Sequence, residues 1–204
     1  MYKEIIISKH AKKFASNDKK IPILHGIHYA ADGTVYATNR HYALRIKNAH
    51  KFAPVTLHAK TGVPIDGQYP DVASVFDKAE FDNELIIHNK LQLEQAHFIA
   101  DCALAVAVKI DKKVPTIRLS SENGPLYLSV KHENQLTFQG FFGNLLNPKP
   151  LISTLNAQYF VNALEVFLEA PPSEVKIKFK GKLDPILITD ESDIDVLILP
   201  FRTP

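Results

Sequence analysis

Apolar and polar positions in the first third of the chain predict short strands. An apolar run at residues 5–8 predicts a strand, and the polar residues up to about 17 predict a brief helix or turn. Two runs rich in β-forming residues flank Asp32 and Gly33, which predicts a β-hairpin. Two further strands are predicted at 42–46 and 55–58, and a loop at 62–70.

The rest of the chain alternates between amphipathic helices and groups of strands. The first helix is predicted at 91–108, with apolar positions Leu91, Ile99, Cys102 and Val106. Three strands are predicted after it, at 116–120, 126–131 and 136–141. Asn156 is the predicted N-cap of a second helix over 157–170. The apolar stripe of this helix consists of Phe160, Leu164, Phe167 and Leu168.

The last segment predicts three more strands. Val175, Ile177 and Phe179 alternate with lysines, which is the period of a strand with one buried face. Strands at 185–189 and 195–201 flank an acidic turn at 190–193. The order of helix, three strands, helix and three strands indicates an internal repeat and an α+β fold, with helices on one side of antiparallel sheets.

Composition indicates a globular protein of a reducing compartment. The 204 residues are 46% hydrophobic and 23% charged, which are ordinary values. The single cysteine, Cys102, excludes an internal disulfide framework and is predicted to be a buried, inert thiol. The longest apolar stretch, 98–108, is too short to cross a bilayer, and the apolar run near the start is too short for a signal peptide. We therefore expect a cytoplasmic protein that does not associate with membranes.

Charge is distributed unevenly along the chain. The first 60 residues contain eleven Lys and Arg against three Asp and Glu, and the other residues contain thirteen against nineteen. A basic segment of this kind favours a polyanionic partner, of which nucleic acid is the commonest. The alternative is a solvated, lysine-rich surface without a specific partner.

The sequence contains no motif typical of catalysis or metal binding. It has no nucleophile elbow, Walker loop or dinucleotide-binding glycine fingerprint. His25 and His28 form the only close histidine pair, but on a strand their side chains would point to opposite faces. The acidic turn lacks the glycine and the terminal glutamate of an EF-hand. We therefore expect no metal, no cofactor and no catalytic residues.

Three stretches of the last third resemble the C-terminal domain of the bacterial DNA sliding clamp, the β subunit of DNA polymerase III. They are residues 155–164 (LNAQYFVNAL), 173–177 (SEVKI) and 185–188 (PILI). The end of the chain, Leu-Pro-Phe-Arg at 199–202, is similar to the Met-Pro-x-Arg-Leu tail of that family.

The first segment resembles the middle domain of the same family. Residues 38–43, Thr-Asn-Arg-His-Tyr-Ala, stand where the family has Thr-Asp-Gly-His-Arg-Leu, and residues 65–71, IDGQYPD, match Val-Asp-Gly-Arg-Phe-Pro-Asp. Only about twenty residues separate these motifs, where the family has a second helix and extra strands. The resemblance implies DNA-clamp (processivity-fold) domains, with a truncated middle-type domain at 1–76 and a complete C-terminal-type domain at 77–204. Such a chain resembles a shortened phage or prophage version of the clamp.

The resemblance also implies a peptide-binding pocket. In the family, a hydrophobic pocket between the middle and last domains binds short peptides of polymerases, the clamp loader and repair proteins. The corresponding residues here are Thr38, Arg40, His41, Tyr42, Pro70, Val75, Leu199, Pro200 and Phe201. They predict an apolar cleft with a few polar anchors, and Arg40, in place of a glycine, is expected to narrow it. The alternative is that these residues only join the two domains.

Duplex DNA is the second partner that the resemblance implies. A clamp encircles the duplex and contacts phosphates through Lys and Arg without reading bases. The candidate contacts are Lys9, Lys12, Lys13, Lys19 and Lys20. The second helix is unsuited to this role, because its predicted polar stripe consists of Gln158, Asn162, Glu165 and Glu169.

Three functional hypotheses follow. The first is a non-catalytic, sliding-clamp-like processivity protein that binds clamp-binding peptides of DNA polymerase and related proteins, and that would form a trimer if it encircles DNA. The second is a monomeric decoy or regulator of the host clamp or of its partners. The third is an enzyme whose site contains His41 and Asp71, although no motif supports it.

Overall fold

The computed structural model describes residues 2–133 and 135–201, which form two compact units. Unit 1 contains residues 2–79 and 189–197, and unit 2 contains residues 80–188 and 198–201. The assignment of 1–76 and 77–204 to two clamp-type domains stays a prediction.

Unit 1 begins with a helical segment, so the strand predicted at 5–8 was wrong. The segment consists of α1 (Tyr2–Ile6), a π-helical turn (Ile7–Ala11) and α2 (Lys12–Phe14). Ile6, His10 and Phe14 are buried at intervals of four residues, which is the spacing of one helix face. Burial of this face outweighs the preference of three consecutive isoleucines for extended backbone.

The other strands predicted in the first part of unit 1 are present. They are β1 (Gly26–Tyr29), β2 (Val35–Thr38), β3 (Tyr42–Ile46) and β4 (Val55–His58). Their spatial order is β4-β1-β2-β3, and β1 and β2 form the predicted hairpin, with His28 opposite Tyr36. Gly33 closes this hairpin with a φ of 83°, a conformation that favours glycine. A short 3₁₀ helix (Pro22–His25) precedes β1, and α3 (Ala73–Asp77) follows the loop after β4.

Ion pairs hold residues 189–197 within unit 1. Asp195 is buried, and its Oδ2 lies 2.9 Å from Arg45 Nε and 3.2 Å from Lys47 Nζ. Its Oδ1 accepts a hydrogen bond of 2.7 Å from Thr189 Oγ1. Nearby, Asp193 Oδ2 lies 2.7 Å from Lys3 Nζ. The buried carboxylate is therefore fully paired, as a buried charge requires.

Unit 2 contains two long helices and two groups of antiparallel strands. In chain order its elements are β5 (Asn83–Ile87), α4 (Lys90–Ile110), β6 (Thr116–Ser121), β7 (Pro125–His132), β8 (Gln135–Asn144), β9 (Leu151–Asn156), α5 (Ala157–Glu169), β10 (Val175–Phe179) and β11 (Ile186–Thr189). The strands are arranged in the orders β8-β7-β6-β9 and β11-β10-β5. The sequence analysis missed β5 and β9, each of which leads into a helix. The chain continues from β11 to β12 (Ile194–Ile198).

Helix α4 lies where it was predicted, but the predicted buried face was wrong. Leu91 is exposed, and Ile99, Cys102 and Val106 are only half-buried. The buried positions are instead Leu93, Ala96, Ala100, Ala103 and Ala107. Helix α4 packs against α5, β6, β7 and β8. Alanines permit close approach on this face, so small residues rather than large ones mark it.

Helix α5 begins at the predicted residue and has the predicted N-cap, Asn156. Asn156 Oδ1 accepts hydrogen bonds from the main-chain N–H groups of Gln158 and Tyr159, at 2.9 and 3.2 Å. These bonds satisfy two donors that a helix N-terminus otherwise leaves free. Phe160, Leu164 and Phe167 are buried as predicted, whereas Leu168, the fourth residue of the predicted stripe, is only half-buried.

The structure is α+β with antiparallel sheets, as predicted. Within residues 2–133 and 135–201, no helix is long and apolar enough to cross a membrane.

Candidate functional site

The turn between β2 and β3 is held by the side chains of Thr38 and Asn39. Thr38 Oγ1 donates to the carbonyl of Tyr42 at 2.8 Å and accepts from the N–H of Arg40 at 3.1 Å. Asn39 Oδ1 accepts from the N–H groups of His41 and Tyr42, at 2.9 and 3.1 Å. These side chains hydrogen-bond main-chain groups of the turn, as the side chains of Asx and Ser/Thr turns do. The bonds hold the turn in one defined conformation.

Arg40 occupies the left-handed region of this turn, with a φ of 78°. A glycine would adopt this conformation without strain, because it has no Cβ. The Arg40 side chain does not extend freely, since its Nη2 lies 3.0 Å from Asp18 Oδ2. The ion pair fixes the guanidinium beside the loop that follows α2. Asp18 was not identified from the sequence, because no local pattern links residues 18 and 40.

Tyr42 has a structural role in unit 1. Only 2% of its surface is exposed, and its ring stacks on Phe14 with the centroids 4.4 Å apart. Its hydroxyl donates to the main-chain carbonyl of Lys13. Thr38 is also buried, whereas Arg40 and His41 are exposed. A ligand at this turn would therefore contact Arg40 and His41. Thr38 and Tyr42 are buried and hold the turn in place.

Pro70 and Val75 lie on the segment that leads into and through α3. Val75 is 46% exposed, and Pro70 is exposed as well. Asp71 fixes the segment, since its Oδ1 accepts from the N–H of Ser74 at 3.0 Å. Asp71 thus stabilises the turn just before α3, which offers no support for a catalytic pairing with His41.

Tyr69 connects this segment with the β2–β3 turn, and the sequence analysis missed it. Its ring stacks on His28, with the centroids 4.7 Å apart and the planes 7° from parallel. Burial raises the pKa of the Tyr69 phenol, and the main chain of Thr38 nearby opposes this effect. Tyr69 therefore packs the segment containing Pro70 against β1 and places it near Thr38 at the end of β2.

The predicted tail residues belong to unit 2. Leu199 is 38% exposed, and Pro200 and Phe201 are half-buried. The N–H of Phe201 donates to the carbonyl of Thr154 at 2.7 Å, which anchors the tail to β9. The remainder of the predicted tail, from residue 202, lies outside the described residues.

The predicted DNA contacts are exposed lysines of unit 1. Lys9 lies in the π-helical turn, Lys12 and Lys13 lie in α2, and Lys19 and Lys20 follow in the next loop. Their spacing of three and four residues groups Lys9, Lys12 and Lys13 on one helix face. All five positions are accessible to a phosphate backbone.

The polar stripe predicted for α5 is only partly exposed. Asn162 is buried and accepts a hydrogen bond of 3.0 Å from Gln158 Nε2, so it was wrongly assigned to the solvent face. Glu165 and Glu169 are half-buried, and α5 contains no Lys or Arg. Unit 2 therefore offers no cationic helix face at α5.

Neither of the two metal candidates considered in the sequence forms a cluster. His25 Nε2 hydrogen-bonds the carbonyl of Asp18 at 2.9 Å, and His28 Nδ1 hydrogen-bonds Thr56 Oγ1 at 2.9 Å. In the acidic turn, Asp190 Oδ1 accepts from the N–H groups of residues 192, 193 and 194. Across the described ranges there is no group of three His, Cys, Asp or Glu side chains suited to a metal ion.

Solved structures of bacterial sliding clamps have the same fold as this chain. The DNA polymerase sliding clamp of Bacillus subtilis superposes with a TM-score of 0.80 and 18% identity, over 99% of this chain and 63% of that one. DNA polymerase III subunit beta of Borrelia burgdorferi gives 0.76 and 18%, over 100% and 61%. The beta subunit of Thermotoga maritima gives 0.76 and 12%, over 99% and 64%. Comparison of the sequence with protein-family models and with curated proteins gives no match.

The structural likeness covers the whole chain but not the whole of the clamps. The chain spans less than two thirds of the length of each of these three clamps. At identities of 12 to 18%, the likeness shows a shared sliding-clamp fold. The resemblance read from the short sequence motifs is thereby confirmed at the level of the fold.

Proposed function

We propose that this protein is a sliding-clamp-like accessory protein of DNA replication. It acts by binding short peptides of polymerases and related proteins, and it needs neither a cofactor nor catalytic residues. The observation that carries this proposal is the match to a sliding clamp over 99% of the chain. A role in replication would place the protein in the cytoplasm.

Two sets of exposed residues support peptide binding. In unit 1, Val75 offers an exposed apolar side chain, and Arg40 and His41 offer polar contacts on a turn of fixed conformation. In unit 2, Leu199 is exposed next to Phe201, which is anchored through its main chain. Apolar contacts flanked by a few polar groups suit a short peptide with a Leu-Phe pair. Preformed residues of this kind would bind without a large ordering cost.

The first test is fluorescence polarisation with a labelled peptide of the Gln-x-x-Leu-Phe type. We expect micromolar binding to the intact protein. Val75→Ala and Leu199→Ala should each raise the Kd at least about ten-fold, because they remove two and three methylene-sized groups, each group contributes about 0.8 kcal/mol when buried, and about 1.4 kcal/mol is ten-fold. Removal of residues 199–204 should abolish binding.

Two matched variants control for general effects of these truncations. Val63→Ala alters another exposed valine of unit 1, and Leu183→Ala alters another exposed leucine of unit 2. Both should bind the peptide as the intact protein does. If the peptide does not bind at a few hundred micromolar, or if the control variants weaken binding equally, the peptide-binding role is wrong.

A monomeric decoy or regulator of the host clamp is the second candidate, and the charge of the unit 2 helices favours it. Helix α5 contains Glu165 and Glu169 but no Lys or Arg, and the two lysines of α4 are balanced by Glu94 and Asp101. Helices without an excess of Lys and Arg do not attract phosphates, so these two helices would not favour encirclement of DNA. Such a protein would bind the same peptides without a ring.

A further inference from the structure

Unit 1 contains a cavity of about 930 Å³ that shares only Lys12 with the predicted sites. The helical segment at its start contributes Ile7 and Lys12, and strands β1 and β4 contribute Tyr29 and Leu57. The loop before β4 contributes residues 48–52. The cavity therefore combines apolar walls with cationic side chains, and its volume falls in the range of ligand sites.

Three aromatic rings form one wall of this cavity. The rings of His50 and Phe52 have centroids 4.4 Å apart, and those of Tyr29 and Phe52 are 5.0 Å apart. Tyr29 and His50 meet edge to face at 5.3 Å. Phe52 rests on both neighbours but leaves 52% of its surface exposed. A large apolar ring held in place by two others and open to solvent is a platform for stacking.

His50 adds an unused polar group to this wall. Both of its ring nitrogens are shielded from solvent, and neither has a hydrogen-bond partner among residues 2–133 and 135–201. Buried polar atoms are ordinarily paired, and an unpaired one in a native structure calls for a ligand or an ordered water.

Two lysines and two carboxylates line the cavity, and the lysines belong to a segment with an excess of cations. Lys12 and Lys51 line the cavity and are exposed, and the first 60 residues contain eleven Lys and Arg against three Asp and Glu. The carboxylates of Glu4 and Asp32 also line it. Asp32 Oδ1 also accepts a hydrogen bond of 2.9 Å from the N–H of Thr34, within its own turn.

We propose that this cavity binds single-stranded DNA, with one unpaired base stacked on Phe52 and the flanking phosphates paired with Lys12 and Lys51. Aromatic platforms next to cations are the common means of binding single strands without sequence preference, because every base has a face to stack. A base within a duplex offers no such face. The site does not depend on the peptide-binding role proposed above, since it uses none of the residues assigned to that role.

The absence of tryptophan from the chain permits a direct test. Phe52→Trp introduces a single fluorophore at the platform, and Phe98→Trp introduces one at an exposed position of α4 in unit 2. Titration with a short oligothymidylate should quench the fluorescence of the Phe52→Trp variant saturably, because a stacked base quenches the indole. The fluorescence of the Phe98→Trp variant should not change. The same oligonucleotide annealed into a duplex should quench neither variant.

Charge variants test the site without altering its aromatic wall. With a labelled oligothymidylate at low salt, Lys12→Gln and Lys51→Gln should each weaken binding about five-fold, whereas Lys112→Gln, an exposed lysine of unit 2, should not. The slope of log K against log salt should fall by about 0.7 for each lost phosphate contact. These measurements hold even if Phe52→Trp disturbs the loop.

Three results would overturn the proposal. The first is that the intact protein fails to bind the oligonucleotide at a few hundred micromolar. The second is that the protein binds it, but the fluorescence of the Phe52→Trp variant is not quenched and both lysine variants bind normally. In the third, a clamp-binding peptide quenches the Phe52→Trp variant and the oligonucleotide does not, so that the occupant is a peptide. If the Val75 and Leu199 variants lose peptide binding but still bind the oligonucleotide, the two ligands bind at separate sites, and the oligonucleotide proposal holds.

Discussion

At the scale of single residues, the β2–β3 turn shows how one substitution changes a site. Arg40 stands at a φ of 78°, and its guanidinium pairs with Asp18 at 3.0 Å. The strain is local to the backbone, whereas the ion pair between two partly exposed groups contributes about 1 kcal/mol or less. The ion pair directs the Arg40 side chain toward Asp18, and the size of the side chain alone would not determine that direction.

Two substitutions separate the backbone effect from the ion pair. Arg40→Ala and Arg40→Gly both remove the guanidinium, but only glycine tolerates the positive φ without strain. We expect the glycine variant to be more stable than the alanine variant by about 1 kcal/mol in urea denaturation. Equal stabilities would mean that the turn adopts a different conformation in solution.

His28 should give the protein a pH-dependent stability. Burial lowers the pKa of His28, His50 lowers it further, and Asp32 opposes both. The pKa of His28 is therefore below the value of about 6.5 in the unfolded chain, which takes up a proton first as pH falls. The stability contributed by neutral His28 is present above about pH 6.5 and is lost as the pH falls from there to the folded pKa.

The His28→Gln variant should remove this loss. Between about pH 7.5 and pH 5, the free energy of unfolding of the intact protein should fall relative to that of the variant, as measured by urea denaturation. Parallel pH curves for the two proteins would contradict the prediction.

At the scale of elements, caps and alternating patterns were predicted well, whereas the faces of some helices were not. Asn156 marks the start of α5, and the alternation of Val175, Ile177 and Phe179 marks β10. The buried face of α4 consists mostly of alanines, which a search for large apolar residues passes over. The run of isoleucines at 5–7 has the composition of a strand but lies in helix, because packing decides between the two.

The cap of α5 provides a test at this scale. Asn156→Ala removes the acceptor of two main-chain N–H groups, so we expect the free energy of unfolding to fall by about 1 kcal/mol. Asn156→Ser should restore most of the loss, because serine caps helices about as well as asparagine. Asn89→Ala, which removes a single capping bond to Gln92 at α4, should cost less. The prediction fails if the serine variant is as unstable as the alanine variant.

At the scale of the whole molecule, the number of copies distinguishes the two candidate functions. A ring built from this chain is expected to contain three copies, and a decoy only one. Native mass spectrometry should therefore find three times the chain mass of 22.9 kDa if the processivity role holds, with retention on circular but not on linear DNA. A mass of one chain, together with peptide binding, would establish the decoy role instead.

The sequence by itself determined the elements whose signals are local. They are the hairpin around Gly33, the cap at Asn156 and the strands with a period of two. Because each depends on neighbouring residues, each could be predicted from the sequence. Short clamp-like motifs also indicated the fold, which the structural comparison then confirmed.

Only the tertiary structure decided what depends on residues far apart in the chain. It paired Arg40 with Asp18, stacked Tyr69 on His28, and brought Asp195 to Arg45 across 150 positions. It also gathered Tyr29, His50, Phe52 and Lys12 around one cavity. The physical reason is that burial and pairing are properties of a residue's surroundings in space, and local propensity yields wherever these are stronger.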